Sequence, residues 1–132
     1  MNKTMTPPKP KTTSPRSTDV SDRLRDFASD MLGLAGQLPE DMMGNILAYA
    51  LLKHSVASYF RHGEAEGSSS VEVLANKFRE CLGELRTLRR TLTFLHGSGI
   101  VCSRLAIEKG LEDCDILIRI FFSSIRTLEA NK

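Results

Sequence analysis

Three histidines, three cysteines and a row of arginines are the side chains in this 132-residue sequence whose types and spacing could do chemistry. His54, His62 and His96 lie far apart, with no H-x-x-x-H pair and none of the Glu-x-x-His pairs that di-metal carboxylate bundles turn inward. Spacing alone therefore builds no metal site. His54 falls beside an apolar helical stripe, which fits a hydrogen-bonded structural histidine. His62 and His96 fall in the last turns of expected helices, where an imidazole complements the helix dipole. Glu84 stands one residue from Leu85 in an apolar stripe and reads as one half of a boundary salt bridge. Gly97-Ser98-Gly99 is too short for a phosphate loop and follows a helix instead of a strand. No catalytic residue, cofactor site or metal site is expected, and the chain does not read as an enzyme.

Cys81, Cys102 and Cys114 are odd in number and lack C-x-x-C spacing, so reduced thiols are expected, with Cys81 and Cys114 as small core residues. No apolar run is long enough to cross a membrane and the N-terminus has no apolar signal region, so a cytoplasmic protein is expected. Arg79, Arg86 and Arg90 recur at steps of seven and four, with Arg89 alongside, and share one helical face. Such a row is either a solvated stripe paired with Glu80, Glu84 or acids of a neighbouring helix, or a set of guanidiniums for nucleic-acid phosphates. No aromatic residue is interleaved with it, so single-strand stacking has no support.

The elements that must position these residues are helical. The apolar fraction of 41% is enough for one core, while only 6% of residues are aromatic and none is Trp, so Leu, Ile, Val, Ala and Met carry the packing. Residues 1–18 contain four of the five prolines and four basic residues without an acid. They are expected to form a disordered basic tail, either simply solvated or acting as an arm toward nucleic acid. Four of the 18 basic residues but none of the 16 acidic ones lie there, so residues 19–132 carry a small acidic excess despite the net charge of +2.

From Asp19 onward, Leu24, Phe27, Ala28, Met31, Leu34 and Ala35 recur at helical spacing and predict a first helix over 20–35, ended by Gly36. Pro39 is expected to open a second helix over 39–62, with Glu40 and Asp41 at its positive end and Gly63 closing it. Residues 63–70 read as a loop ending in a Ser69/Glu72 capping box. A third helix follows along Val71, Leu74, Phe78, Cys81, Leu82, Leu85, Leu88, Leu92 and Leu95, closed by Gly97. Ser103 is expected to cap a fourth helix, whose seam runs Ile107, Leu111, Cys114, Ile118, Phe121, Ile125 and Leu128. Gly110 inside that helix predicts close packing or a kink. Three long helices of similar length with short links describe an all-α, up-down-up-down four-helix bundle over 19–132.

Two helices carry more apolar surface than one inward face can use. Helix two is apolar on one side through Met43, Ile46, Leu47, Ala50 and Ala57, and on another through Met42, Tyr49, Leu52, Val56 and Phe60. Helix four carries Ile116, Leu117, Ile120 and Phe122 beside its seam. The surplus residues Met42, Tyr49, Leu52, Val56, Phe60, Ile116, Leu117, Ile120 and Phe122 are therefore candidates for an interface between copies of the chain.

From Leu38 to Leu128 the sequence resembles the four-helix-bundle proteins encoded in intervening sequences of bacterial large-subunit ribosomal RNA genes. The likeness rests on Leu38-Pro39, Ser55-Val56 and Gly63 in helix two, Glu84-Leu85 and Leu88 in helix three, and the Gly99-Ile100 turn. LRDFASDMLGLAG stands where that family has a Trp-containing first helix, and Tyr59-Phe60-Arg61-His62-Gly63 where it has Asn-Ile-x-Glu-Gly. The resemblance implies a non-enzymatic bundle that assembles into a ring, commonly a pentamer. A sister branch, the accessory proteins of diversity-generating retroelements, implies a related role in binding a reverse transcriptase and nucleic acid. The run LRTLRRTL is compatible with either branch.

Overall fold

The computed structural model describes residues 20–131, which form four α-helices. These are α1 (Val20–Ala35), α2 (Met42–Glu66), α3 (Val71–Gly97) and α4 (Arg104–Ala130). The expectation for residues 1–18 lies outside the described residues. Each helix packs on the next and α4 closes back on α1, which makes an up-down-up-down bundle. No helix among the described residues is long and apolar enough to cross a membrane.

In α1 the buried residues Val20, Leu24, Phe27, Met31 and Leu34 step by four and three, so one stripe faces the core. Leu38, buried in the following link, pins the turn. The start of α2 differs from the Pro39 expectation. Pro39 and Glu40 stay in the link, and Asp41 is the N-cap, its carboxylate accepting from the Gly44 N–H at 2.8 Å. A side chain that satisfies a free helical N–H outweighs the fixed φ of proline, which removes a donor but supplies no acceptor. The folded-back link also explains Gly44, because a Cβ there would fall 1.9 Å from the Pro39 carbonyl oxygen.

At its other end α2 runs past Gly63 to Glu66, with Gly67 as C-cap. Glycine inside a helix costs about 1 kcal/mol, but packing can override that. Here Ala65 is buried, and Glu64 is held by Lys77 of α3 at 2.9 Å. The helix α3 is capped by Ser70 in place of Ser69, its hydroxyl accepting from the Val73 N–H at 3.0 Å, while Glu72 stays in the first turn. Of the predicted α3 stripe, Cys81, Leu82, Leu85, Leu88, Leu92 and Leu95 are buried. Ser103 caps α4 as expected, accepting from the Ala106 N–H at 3.1 Å.

The buried stripe of α4 runs Ile107, Gly110, Cys114, Leu117, Phe121 and Ile125, so it is turned by one residue from the expected seam at Leu111 and Ile118. Gly110 accounts for the rotation. Its Cα lies so close to α1 and α3 that a Cβ would stand 3.1 Å from Met31 Cε and 3.4 Å from Leu92 Cδ1. Bringing Gly110 to the centre carries Leu117, two turns on, into the core as well.

Candidate functional site: an arginine-lined groove and an apolar helix face

The titratable groups whose chemistry would suit a reactive centre are dispersed. His54 Nδ1 meets Glu84 Oε1 at 2.6 Å across α2 and α3, both side chains half-buried, which is the boundary pairing expected for each. His96 Nε2 meets Glu108 Oε2 at 3.3 Å near the α3–α4 turn. His62 corrects the expectation. Since α2 continues to Glu66, His62 is not in the last turn but on the buried stripe. Its ring is stacked 6.0 Å from Phe78 and edge-on 5.9 Å from Phe121. Burial holds its pKa below the usual histidine value.

Cys81 and Cys114 are buried, their thiols donating to the backbone carbonyls of Ser58 and Leu85. Burial pushes both thiols up to about 12. Neither is therefore a thiolate near neutrality. Among the described residues, no three His, Cys, Asp or Glu side chains stand together as a metal site would require.

The arginines are brought together, and more of them than helix three supplies. Arg79 pairs with Glu129 and with Asn76, and Arg89 pairs with Asp115 at 2.6 Å. Those two are tied to acids of the neighbouring helix, one of the two alternatives for the row. Arg86 and Arg90 make no ion pair among the described residues. The antiparallel packing of α4 on α3 adds Arg119 and Arg126, which are spaced by seven residues on one α4 face and are equally without a carboxylate partner among the described residues.

Between the Arg79–Glu129 and Arg89–Asp115 links lies a groove of about 470 Å³. Leu82 and Ile125 lie along its base, with Arg86, Phe122 and Arg126 at its sides. Phe122 is 47% exposed, and the Arg126 guanidinium sits 5.9 Å from the centre of its ring. Reading α3 alone missed the α4 contributors. Their signal was the Arg119/Arg126 spacing with Phe122 between, which only becomes part of the α3 row once α4 is laid beside it.

A second surface lies on α2. Its buried face carries Gly44, Leu47, Leu51, Ser55, Ser58, His62 and Ala65, mostly small or polar residues. Five of its large apolar residues point outward: Met42, Ile46, Tyr49, Val56 and Phe60 are between 37% and 80% exposed. These positions step by four and three with Lys53 completing the series, the pattern of a helix seam that another helix covers. Of the other interface candidates, Leu52, Ile116 and Ile120 are half-buried. Phe122 belongs to the groove. Leu117, at 2% exposure, is a core residue.

No protein-family model matches the chain. No curated protein matches it either. Among solved structures, the chain is similar to a protein of unknown function from the S23 ribosomal protein family of Bacteroides thetaiotaomicron. The TM-score is 0.73 and the identity 21%, over 80% of this chain and 97% of that one. At that identity the likeness is one of fold: four helices in the same arrangement.

Proposed function

We propose that the protein is a non-enzymatic scaffold that assembles with copies of itself through the outer face of α2 and presents the α3–α4 groove to nucleic acid. The observation that carries this reading is the division of α2, which buries Leu47 and Leu51 among glycine, serine, histidine and alanine but leaves Met42, Ile46, Tyr49, Val56 and Phe60 exposed. Covering those five side chains would recover roughly 5 kcal/mol per subunit, since full burial of one is worth about 1.5–3 kcal/mol. A contiguous apolar stripe of this size on a bundle surface marks an association site. Lys53 can lie along the stripe with its stem and carry its charge to the rim, as it does over the Tyr49 ring at 5.7 Å.

The resemblance to the intervening-sequence proteins favours a pentameric ring. Repetition of one contact around a ring would bring copies of Arg86, Arg90, Arg119 and Arg126 together and concentrate positive potential. The alternative, an accessory subunit beside a reverse transcriptase, would use the same groove and is separated from the first by the genes that neighbour this one.

The test is Ile46→Glu with Phe60→Glu in sedimentation velocity. The doubly substituted chain is expected to sediment as a helical monomer while the unaltered protein sediments as one larger species. Identical sedimentation of the two would remove α2 as the interface.

A further inference from the structure

We infer that the α3–α4 groove takes single-stranded nucleic acid, with one unpaired base stacked on Phe122 and the adjoining phosphates held by Arg86 and Arg126. This rests on the nucleic-acid part of the proposed function and narrows it to a strand type. The chemistry comes from the way three features meet in one place. Arg86 and Arg126 have no carboxylate partner among the described residues, so their donors are open to a phosphate. Leu82 and Ile125 give the groove an apolar base, and Phe122 offers a ring that is half open to solvent. Gly83 leaves the α3 side without a side chain, and a Cβ built there meets nothing within 4 Å, so a flat group has room beside the ring.

A surface meant for duplex phosphates alone gains nothing from a half-exposed phenylalanine, because paired bases keep their faces hidden. A single strand presents base faces and phosphates alternately. Aromatic rings and guanidinium planes are the groups that take them. Arg90 and Arg119, each about one helical turn from Arg86 and Phe122 toward the Arg89–Asp115 link, make no ion pair among the described residues and extend the positive charge beyond that end of the groove. Arg79 is held by Glu129 at the opposite end and closes it.

The chain contains no Trp, so Phe122→Trp places a single fluorescent reporter in the groove. The full-length protein is titrated with a mixed-sequence single strand of RNA or DNA, the matching duplex, an abasic strand with the same number of phosphates, and polyglutamate. The expected result is quenching of that reporter by single strands and not by the abasic strand. In the otherwise unaltered chain, Phe122→Ala and the more conservative Phe122→Leu should weaken single-strand binding about tenfold with an unchanged salt slope. Arg86→Ala and Arg126→Ala should each lower the slope by about one. Circular dichroism on each variant checks that the bundle is intact.

Equal affinity for single strand and duplex, without quenching and with no effect of either Phe122 substitution, would overturn the stacking inference while leaving nucleic-acid binding in place. If the unaltered protein binds neither strand in a salt-sensitive way, the nucleic-acid reading fails and this inference falls with it. Binding of polyglutamate but no oligonucleotide would assign the groove to an acidic protein segment and overturn the inference as well.

Discussion

The same substitution, glycine to alanine, should have opposite effects at two positions of α2. Both Gly44 and Gly63 lie inside the helix, so intrinsic propensity alone would make either replacement stabilising by about 1 kcal/mol. At Gly63 nothing lies within 4 Å of the added Cβ and the position is exposed, so the full propensity gain of about 0.5–1 kcal/mol is expected. At Gly44 the added Cβ would sit 1.9 Å from the Pro39 carbonyl oxygen and 2.9 Å from its carbon. Backbone cannot yield as a side-chain tip can, so the link must move. That movement breaks the Asp41 cap, worth about 1 kcal/mol, and lifts part of Leu38 out of the core, where full burial is worth about 1.5–3 kcal/mol. After the propensity gain is subtracted, Gly44→Ala should destabilise by about 1–3 kcal/mol.

Urea unfolding followed by circular dichroism, at one fixed protein concentration, reads both changes as shifts of the midpoint in opposite directions. A Gly44→Ala protein as stable as the unaltered one would show that the link does not fold back over the first turn of α2, and the reason given for the late start of that helix would be wrong.

Three further outcomes follow from the packing. Leu85→Ala, which empties a fully buried site at the middle of α3, should cost about 2–5 kcal/mol in the same unfolding assay. His62 is kept neutral in the fold, so the unfolded chain takes up its proton first. Its contribution to stability is complete above the ordinary histidine value of 6.5 and is lost as pH falls below it toward the lowered folded pKa. Stability measured between pH 7.5 and 5 should therefore fall less in His62→Leu than in the parent, because the carboxylates, His54 and His96 are common to both. With a thiol-specific reagent, Cys102 should react first, and Cys81 and Cys114 only as fast as the bundle opens, since both are buried with their thiols held up at about 12.

The helix count, the core stripes of α1 and α3 and the Ser103 cap could be read from the sequence because each is a local pattern: apolar residues at steps of three and four, or a hydroxyl just ahead of a helix. The points that differed depend on neighbours. Whether Pro39 or Asp41 starts α2, and whether Gly63 stops it, was decided by a link folding back and by Lys77 on another helix holding Glu64. The rotation of α4 was decided by how closely Gly110 approaches Met31 and Leu92, which no periodicity in α4 alone encodes.

The candidate site was half legible for the same reason. Arg79, Arg86, Arg89 and Arg90 repeat along one helix and stood out. Phe122 and Arg126 joined Arg79 and Arg86 in one groove only through the antiparallel pairing of α4 with α3. In α2 the surplus of apolar residues was plain, but which of them face outward was not. Ser55, Ser58 and His62 look like surface residues until Cys81, Phe78 and Phe121 are seen packed around them.

Self-association through α2 is tested most directly by the mass of the unaltered protein in solution. Light scattering coupled to gel filtration, at micromolar concentration and across a tenfold dilution, should give one species of several times the chain mass of 14.7 kDa. A single species at 14.7 kDa over that whole range would contradict the account, because Met42, Ile46, Tyr49, Val56 and Phe60 would then face water in the working form of the protein.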